Sequence, residues 1–250
     1  YKTVGDLKID LDVYVPSSSP PSTGFPVFFT IHGGAYIEGS KAGGLNKQQR
    51  TEALNRGWVI ISINYRLLPG VFLDDIFEDV QDAYTWVRTE LIKTVPLNPN
   101  RITIWGKSAG GGLAVVSGYK LNPRPAVIVG FYPGLTDWTD PRVYNPNTPV
   151  DPRLVAGANQ LSTPVLTEYK VTGSSDLRKK LWSGAQSLQK SGWLAVTHDP
   201  KVPAEQVMAK LRDFSATENV DQDYPPTYLA HGLIDTVVPY SQSVQLGDKL

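Results

Sequence analysis

Cysteine is absent from these 250 residues, and methionine (one) and histidine (three) are scarce. Without thiols there is no disulfide framework, no thiolate metal site and no cysteine nucleophile. Three histidines leave little from which to build a histidine-rich metal centre, and the chemical motifs of the chain require neither a metal nor an organic cofactor. Excess charge of either sign is lacking as well, because 24 basic and 24 acidic residues cancel. That removes the basic footprint expected of a nucleic-acid or anionic-membrane binder. No apolar run approaches the roughly 18 residues of a transmembrane helix. The opening Tyr1-Lys2-Thr3-Val4 does not read as a signal peptide. No glycosylation sequon with an allowed middle residue occurs, which leaves the cytoplasm as the default expectation for location.

What is present is the balance of a globular chain, 41% hydrophobic and 19% charged, of a length that suits one large α/β domain or a core with an insertion. Alternating apolar residues from Leu7 to Val15 predict a half-buried strand stopped by Pro16. Phe25–Ile31 and Trp58–Ile63 are continuous apolar runs, as in strands buried on both faces. Between them Leu45–Arg56 reads as a helix closed by Gly57. Ile76, Val80, Ala83, Tyr84, Val87 and Leu91 recur at helical spacing over Asp74–Leu91. Arg101–Trp105 predicts a short strand, Ala109–Tyr119 a small-residue helix, and Ala126–Phe131 another buried strand. Strands alternating with helices imply a mostly parallel sheet covered on both faces. From Leu135 to about Tyr224 the alternation is lost, with helical stretches near Asp176–Lys190 and Pro203–Phe214; the strand pattern returns at Thr227–Ala230. The expected organisation is therefore a discontinuous core, residues 1–134 and 225–250, with residues 135–224 inserted over the carboxyl edge of the sheet.

Two segments carry chemistry. Gly106-Lys107-Ser108-Ala109-Gly110-Gly111 joins a strand to a helix, and a Gly-x-Ser-x-Gly turn there holds its serine on a sharp corner above the sheet. The helix amino terminus beside it favours developing negative charge. A glycine-rich helix start or a phosphate-binding turn would read similarly. Ile31-His32-Gly33-Gly34-Ala35-Tyr36 follows a buried strand, and its small residues let backbone amides turn toward a site where an oxyanion needs donors placed in advance. A tight turn with a structural histidine also fits these residues. Lys107 beside the serine reads as a solvated lysine.

At these motifs the chain resembles serine hydrolases of the α/β-hydrolase superfamily, close to the hormone-sensitive-lipase-like esterases and carboxylesterases. The resemblance runs through His32–Tyr36, Asn64-Tyr65-Arg66-Leu67, the helix around Asp79–Trp86, Ser108 with its glycines, and His231–Pro239. It implies an α/β-hydrolase fold with a lid inserted before the acid-bearing strand, and Ser108 as nucleophile. It further implies Gly34, Ala35 and Ala109 as oxyanion donors, with Ala35 standing where relatives often have a third glycine, and His32 and Gly33 as residues that shape this loop. Asp235, ahead of Thr236-Val237-Val238-Pro239, falls at the place of the triad acid, although a turn cap is the alternative for an aspartate there. Arg66 and Asp79 match a structural pair. The implied partner is a small-molecule ester.

The same resemblance orders the triad Ser, Asp, His along the chain, which places the base roughly 25 residues beyond Asp235 and hence past Leu250. His198 and His231 are the alternatives, though each would break that order. Trp138, Tyr144, Trp182 and Trp193 are candidates to line an acyl pocket, with plain packing expected for at least two of them. An amidase or peptidase of the same fold, or a binding protein that has lost turnover, remain open alternatives.

Overall fold

A computed structural model describes residues 1–250. In chain order the elements are β1 (Lys2–Val4), β2 (Leu7–Ile9), β3 (Leu11–Tyr14), β4 (Phe25–Ile31), α1 (Lys47–Asn55), β5 (Val59–Ile63), α2 (Leu73–Thr89), β6 (Leu97–Lys107), α3 (Ala109–Lys120), β7 (Val127–Phe131), α4 (Pro152–Leu161), α5 (Leu177–Ser187), α6 (Ser191–Val196), α7 (Ala204–Asp213), α8 (Ala216–Asn219), β8 (Thr227–Ala230) and α9 (Ser241–Gly247). Six strands form one sheet in the order β3-β5-β4-β6-β7-β8. Only β3 runs antiparallel, against β5; every other pairing is parallel. This is the mostly parallel, helix-flanked sheet of an α/β-hydrolase fold.

The unbroken apolar runs behave as expected of strands covered on both sides: all five residues of β5 and six of the seven in β4 are buried. Helix α2 turns Ile76, Val80, Ala83, Tyr84 and Val87 into the core, each large side chain contributing about 1.5–3 kcal/mol on burial. Its amino terminus is closed by Asp75, which accepts from the Phe72 amide at 3.0 Å. In α1 Asn46 and Gln49 cap each other reciprocally, at 2.9 and 3.0 Å. The helix ends at Arg56, and Gly57 follows with φ 75°.

Two expectations change. The single strand from Leu7 to Val15 is split at Asp10, so that β2 pairs with β1 in a separate hairpin and only β3 joins the main sheet. The break is enforced by Asn64, whose amide donates to the Asp10 carbonyl at 3.1 Å and whose side chain donates to the Asp10 carboxylate at 2.8 Å. Strand β6 begins at Leu97 rather than Arg101, because Phe25 already pairs with Leu97 before the register shifts to Val27–Ile102.

Between β7 and β8 the chain forms α4–α8 and adds no strand to the sheet. This segment is fastened to the loops that leave the carboxyl ends of β4 and β5. Arg178 donates to the carbonyls of Leu68 and Ile37, and the Gly39 and Leu67 amides donate to Tyr169 and Leu166, both at 2.8 Å. Its apolar side chains merge with those of α2 and α3 in one cluster of 48 buried residues. Trp138, Tyr144 and Trp193 lie in that cluster. No helix is long and apolar enough to cross a membrane.

Candidate active site

Ser108 stands between β6 and α3 with φ 53° and ψ −126°, a backbone conformation that costs a non-glycine residue about 1–3 kcal/mol. The surroundings over-determine it. Its amide donates to Phe131 at 3.0 Å, and its carbonyl accepts from Gly112 at 3.0 Å and Gly134 at 2.8 Å. Small residues make the corner possible. A methyl group on Gly110 would lie 2.2 Å from the Ile31 carbonyl oxygen, so α3 can start this close to β4 only with glycine there.

The loop after β4 passes directly against that corner: a methyl on Gly33 would sit 3.2 Å from the Ser108 Cβ. Gly34, Ala35 and Tyr36 all have positive φ, at 120°, 51° and 63°. The turn is closed by the Ile37 and Glu38 amides, both donating to the Gly34 carbonyl, while the amides of Gly34, Ala35 and Ala109 donate to no acceptor in the chain. Ala35, Ser108 and Ala109 share the wall of one cavity of about 190 Å³, together with Tyr36 and Trp182. Gly34 is behind this wall rather than in it. Of the four aromatic residues considered for a pocket, only Trp182 reaches the cavity; the other three pack.

Asp235 does not line the cavity, but Val237, Val238 and Pro239 that follow it do. Its Oδ1 accepts from the Val237 and Val238 amides at 2.8 and 2.9 Å. These bonds, the one from Val238 foremost, hold its carboxyl below the usual range and keep it ionised. Oδ1 thus caps the turn, and Oδ2 is left facing the His231 ring at 3.7 Å. That ring bridges two elements: Nε2 lies 2.9 Å from the Val238 carbonyl and Nδ1 2.7 Å from Ser243 Oγ. With a carbonyl at Nε2, the proton is on Nε2, and Nδ1 accepts from the serine hydroxyl.

None of the three histidines hydrogen-bonds to the Ser108 hydroxyl. His32 stacks on Tyr65 at 4.2 Å and donates from Nδ1 to the Gly33 carbonyl at 2.7 Å. Burial pushes its pKa down to about 4, with the nearby Lys107 charge acting in the same direction. The ring is therefore a neutral brace inside the glycine loop. His198 packs edge-on to Phe72 at 4.8 Å, and burial lowers its pKa too. Arg66 grips Asp79 through its amide and Nε, at 2.9 and 2.8 Å, tying the loop after β5 to α2 as its structural reading implied. Lys107 is half-buried and forms no ion pair.

Sequence reasoning missed Asp140, Arg142, Ser191 and Gln242, which with Gln186 of α5 make up much of the polar part of the cavity wall. They come from the loop after β7, from α6 and from α9, and nothing in their spacing announces that the fold gathers them.

A family model named BD-FAE matches residues 11–250. Among curated proteins, the non-reducing polyketide synthase Preu6 of Preussia isomera is 28% identical over 96% of this chain and 12% of its own length. The 5-methylorsellinic acid synthase of Aspergillus terreus is 28% identical over 100% of this chain and 11% of its own. The chain thus spans about an eighth of the length of such relatives. Among solved structures, an acetyl ester-xyloside bifunctional hydrolase from Caldicellulosiruptor lactoaceticus superposes with a TM-score of 0.62 at 22% identity, covering 98% of this chain and 73% of that one. A thermophilic esterase from Thermogutta terrifontis gives 0.61 at 19%, covering 99% and 74%. The family match extends over residues 11–250, almost the whole chain, and the sheet agrees with the fold of the solved structures: the protein belongs to the BD-FAE family and has the α/β-hydrolase fold.

Proposed function

We propose that this domain is a serine hydrolase that cleaves carboxylic esters through an acyl-enzyme. The observation that carries the reading is the left-handed Ser108 at the head of α3, in one cavity wall with the unpartnered amides of Ala35 and Ala109. Ser108 Oγ attacks the ester carbonyl as a histidine base takes its proton. The amides of Ala35 and Ala109, which line the cavity, hold the oxyanion, and collapse expels the alcohol, reprotonated by the imidazolium. Water then attacks the acyl-serine, with the base taking its proton, and releases the carboxylic acid. Asp235, ionised, orients the imidazole and stabilises its charge. Since His32, His198 and His231 are all engaged elsewhere, the base in this reading is a histidine outside residues 1–250. Residues 135–224 act as the lid, with Trp182 in the acyl pocket.

The curated relatives favour a second substrate. They are named as polyketide synthases, and one is named for an acid as its product. Freeing an acid from an acyl thioester uses the same attack, oxyanion and water step, with a thiol as leaving group.

The test is rapid mixing of the full-length protein with 4-nitrophenyl butanoate, in parallel with butanoyl N-acetylcysteamine thioester and butyranilide. An acylation burst is expected, and Ser108→Ala should remove it and lower turnover by roughly 10³-fold or more while leaving the fold intact. Unchanged turnover in that variant overturns the assignment. Ligand binding without product in the wild type identifies a non-catalytic binder, and anilide cleavage at the ester rate an amidase.

A further inference from the structure

The cavity beside Ser108 holds a set of hydrogen-bond donors that the chain itself does not use. Gln242 is 3% exposed, and its Oε1 accepts from Thr136 Oγ1 at 3.0 Å and from the Asp137 amide at 3.2 Å. A backbone N–H can only donate, so this branch of the side-chain amide is the oxygen. The other branch, Nε2, carries two donors and has no partner in the chain. Arg142 is fixed by Asp140, which accepts Nε at 3.0 Å on each carboxylate oxygen and also accepts Nη2. Nη1 is left unpaired. Ser191, 2% exposed, makes no side-chain hydrogen bond. All three residues line the cavity that contains Ser108.

We propose that Arg142, Ser191 and Gln242 form a subsite beside Ser108 that selects neutral acyl groups carrying carbonyl or hydroxyl oxygens over plain hydrocarbon acyl groups. The proposal rests on Ser108 being the residue acylated. A hydrocarbon chain entering this cavity strips water from the donors and leaves them unsatisfied, whereas an oxygenated chain replaces that water bond for bond. Two of the acceptors nearby are already occupied: both Asp140 oxygens face Arg142, and Gln242 Oε1 is held by Thr136 and Asp137, while the Gln186 amide in the same wall brings two donors with its one acceptor oxygen. The wall is therefore biased toward acceptor oxygens on the ligand. Because Asp140 neutralises Arg142, a ligand carbonyl or hydroxyl suffices, and a full negative charge gains little.

The test pairs two ligands that differ by one ketone oxygen, 3-oxobutanamide and butanamide, titrated by ligand-observed NMR against full-length Ser108→Ala protein. About tenfold tighter binding of 3-oxobutanamide is expected. The preference should fall to within about twofold in Gln242→Glu, which keeps the clamped oxygen and removes the two donors, and in Arg142→Met. Near-UV circular dichroism verifies folding. Should Gln242→Glu fail to fold, Ser191→Ala replaces it, with a drop of about threefold expected. Equal binding of the two ligands, or a preference unchanged in the variants, overturns the subsite. A second arm compares kcat/KM for methyl 3-oxobutanoate and methyl butanoate in the active protein. Turnover of both esters at equal rates sinks the subsite while leaving the serine reading intact. No turnover of either, with the binding preference retained, sinks the serine reading and supports the subsite.

Discussion

The two sides of the cavity are built in opposite ways. On one side the elbow at Ser108 and the glycine loop after β4 meet backbone to backbone, deep in the molecule. The conformation there is forced by close packing, with the carbonyl oxygens of Ile31 and His32 within 2.4 Å of where a single methyl on Gly110 would stand. On the other side the loop after β8 is at the sheet edge, and Leu233, Ile234 and Val237 are 76%, 92% and 78% exposed. Shape does little to hold it. Polar side chains do: Asp235 caps the following turn, and His231 joins that turn to α9 through Ser243. The Ser108 side excludes alternatives sterically, while the Asp235 side is scaffolded by a few hydrogen bonds.

A pair of identical substitutions tests the contrast most sharply. Gly110→Ala places a Cβ against the carbonyls of Ile31 and His32, and neither backbone can yield without pulling β4 out of register. A loss of about 4 kcal/mol or more is expected, against which the better helix propensity of alanine returns only about 1 kcal/mol. At Gly232 a Cβ would meet nothing within 4 Å, so Gly232→Ala should change stability by less than about 0.5 kcal/mol. Urea unfolding of both variants reads the difference. Equal losses would mean that the loop after β8 is as tightly packed as the elbow.

The same division explains what could be read in the sequence. The elbow side was legible because steric demands leave a signature: a serine or loop that needs glycine at fixed offsets writes Gly106-Lys107-Ser108-Ala109-Gly110 and His32-Gly33-Gly34 into the chain. Buried parallel strands likewise write continuous apolar runs, so β4 and β5 fall almost where expected; β7 and β8 also lie near their expected places, although β7 is buried at alternate residues and β8 at none. Polar scaffolding leaves no such trace. The break at Asp10 depends on Asn64, far along the chain, and the early start of β6 depends on its pairing with Phe25. The donors of Arg142, Ser191 and Gln242 converge only through tertiary folding. Trp138 and Trp193 gave the same sequence signal as Trp182, yet only Trp182 reaches the cavity.

A titration probes the elbow side through His32. Its folded pKa of about 4 is below the ordinary 6.5, because burial against Tyr65 disfavours the charged ring. A depressed pKa for a base favours the neutral form on folding. The stabilisation is complete above about pH 6.5, is lost progressively as pH falls toward 4, and is gone below both values, a change of about 3 kcal/mol. His32→Asn can keep a donor toward the Gly33 carbonyl but cannot ionise. Urea unfolding measured from pH 7.5 to 4 should therefore be flatter in the variant by about that amount. Curves that stay parallel would show that the ring takes up its proton without disturbing the glycine loop.

A modest effect is expected on the Asp235 side, from Ser243→Ala. The change removes the hydroxyl that donates to His231 Nδ1 and leaves Nε2 bound to the Val238 carbonyl. One hydrogen bond of this kind contributes about 1 kcal/mol, and the His231 side chain, 1% exposed, keeps its remaining bond to the Val238 carbonyl. Asp235 keeps both amide bonds from Val237 and Val238, so the turn that positions its carboxylate survives. Urea unfolding should show a loss near 1 kcal/mol, and ester turnover should fall by no more than about threefold. If the loss instead approached that of Gly110→Ala, the His231 bridge would have to be the element on which β8 and α9 both depend. A scaffold of several independent hydrogen bonds can lose one member and hold its shape, whereas a close-packed backbone corner cannot admit one methyl group.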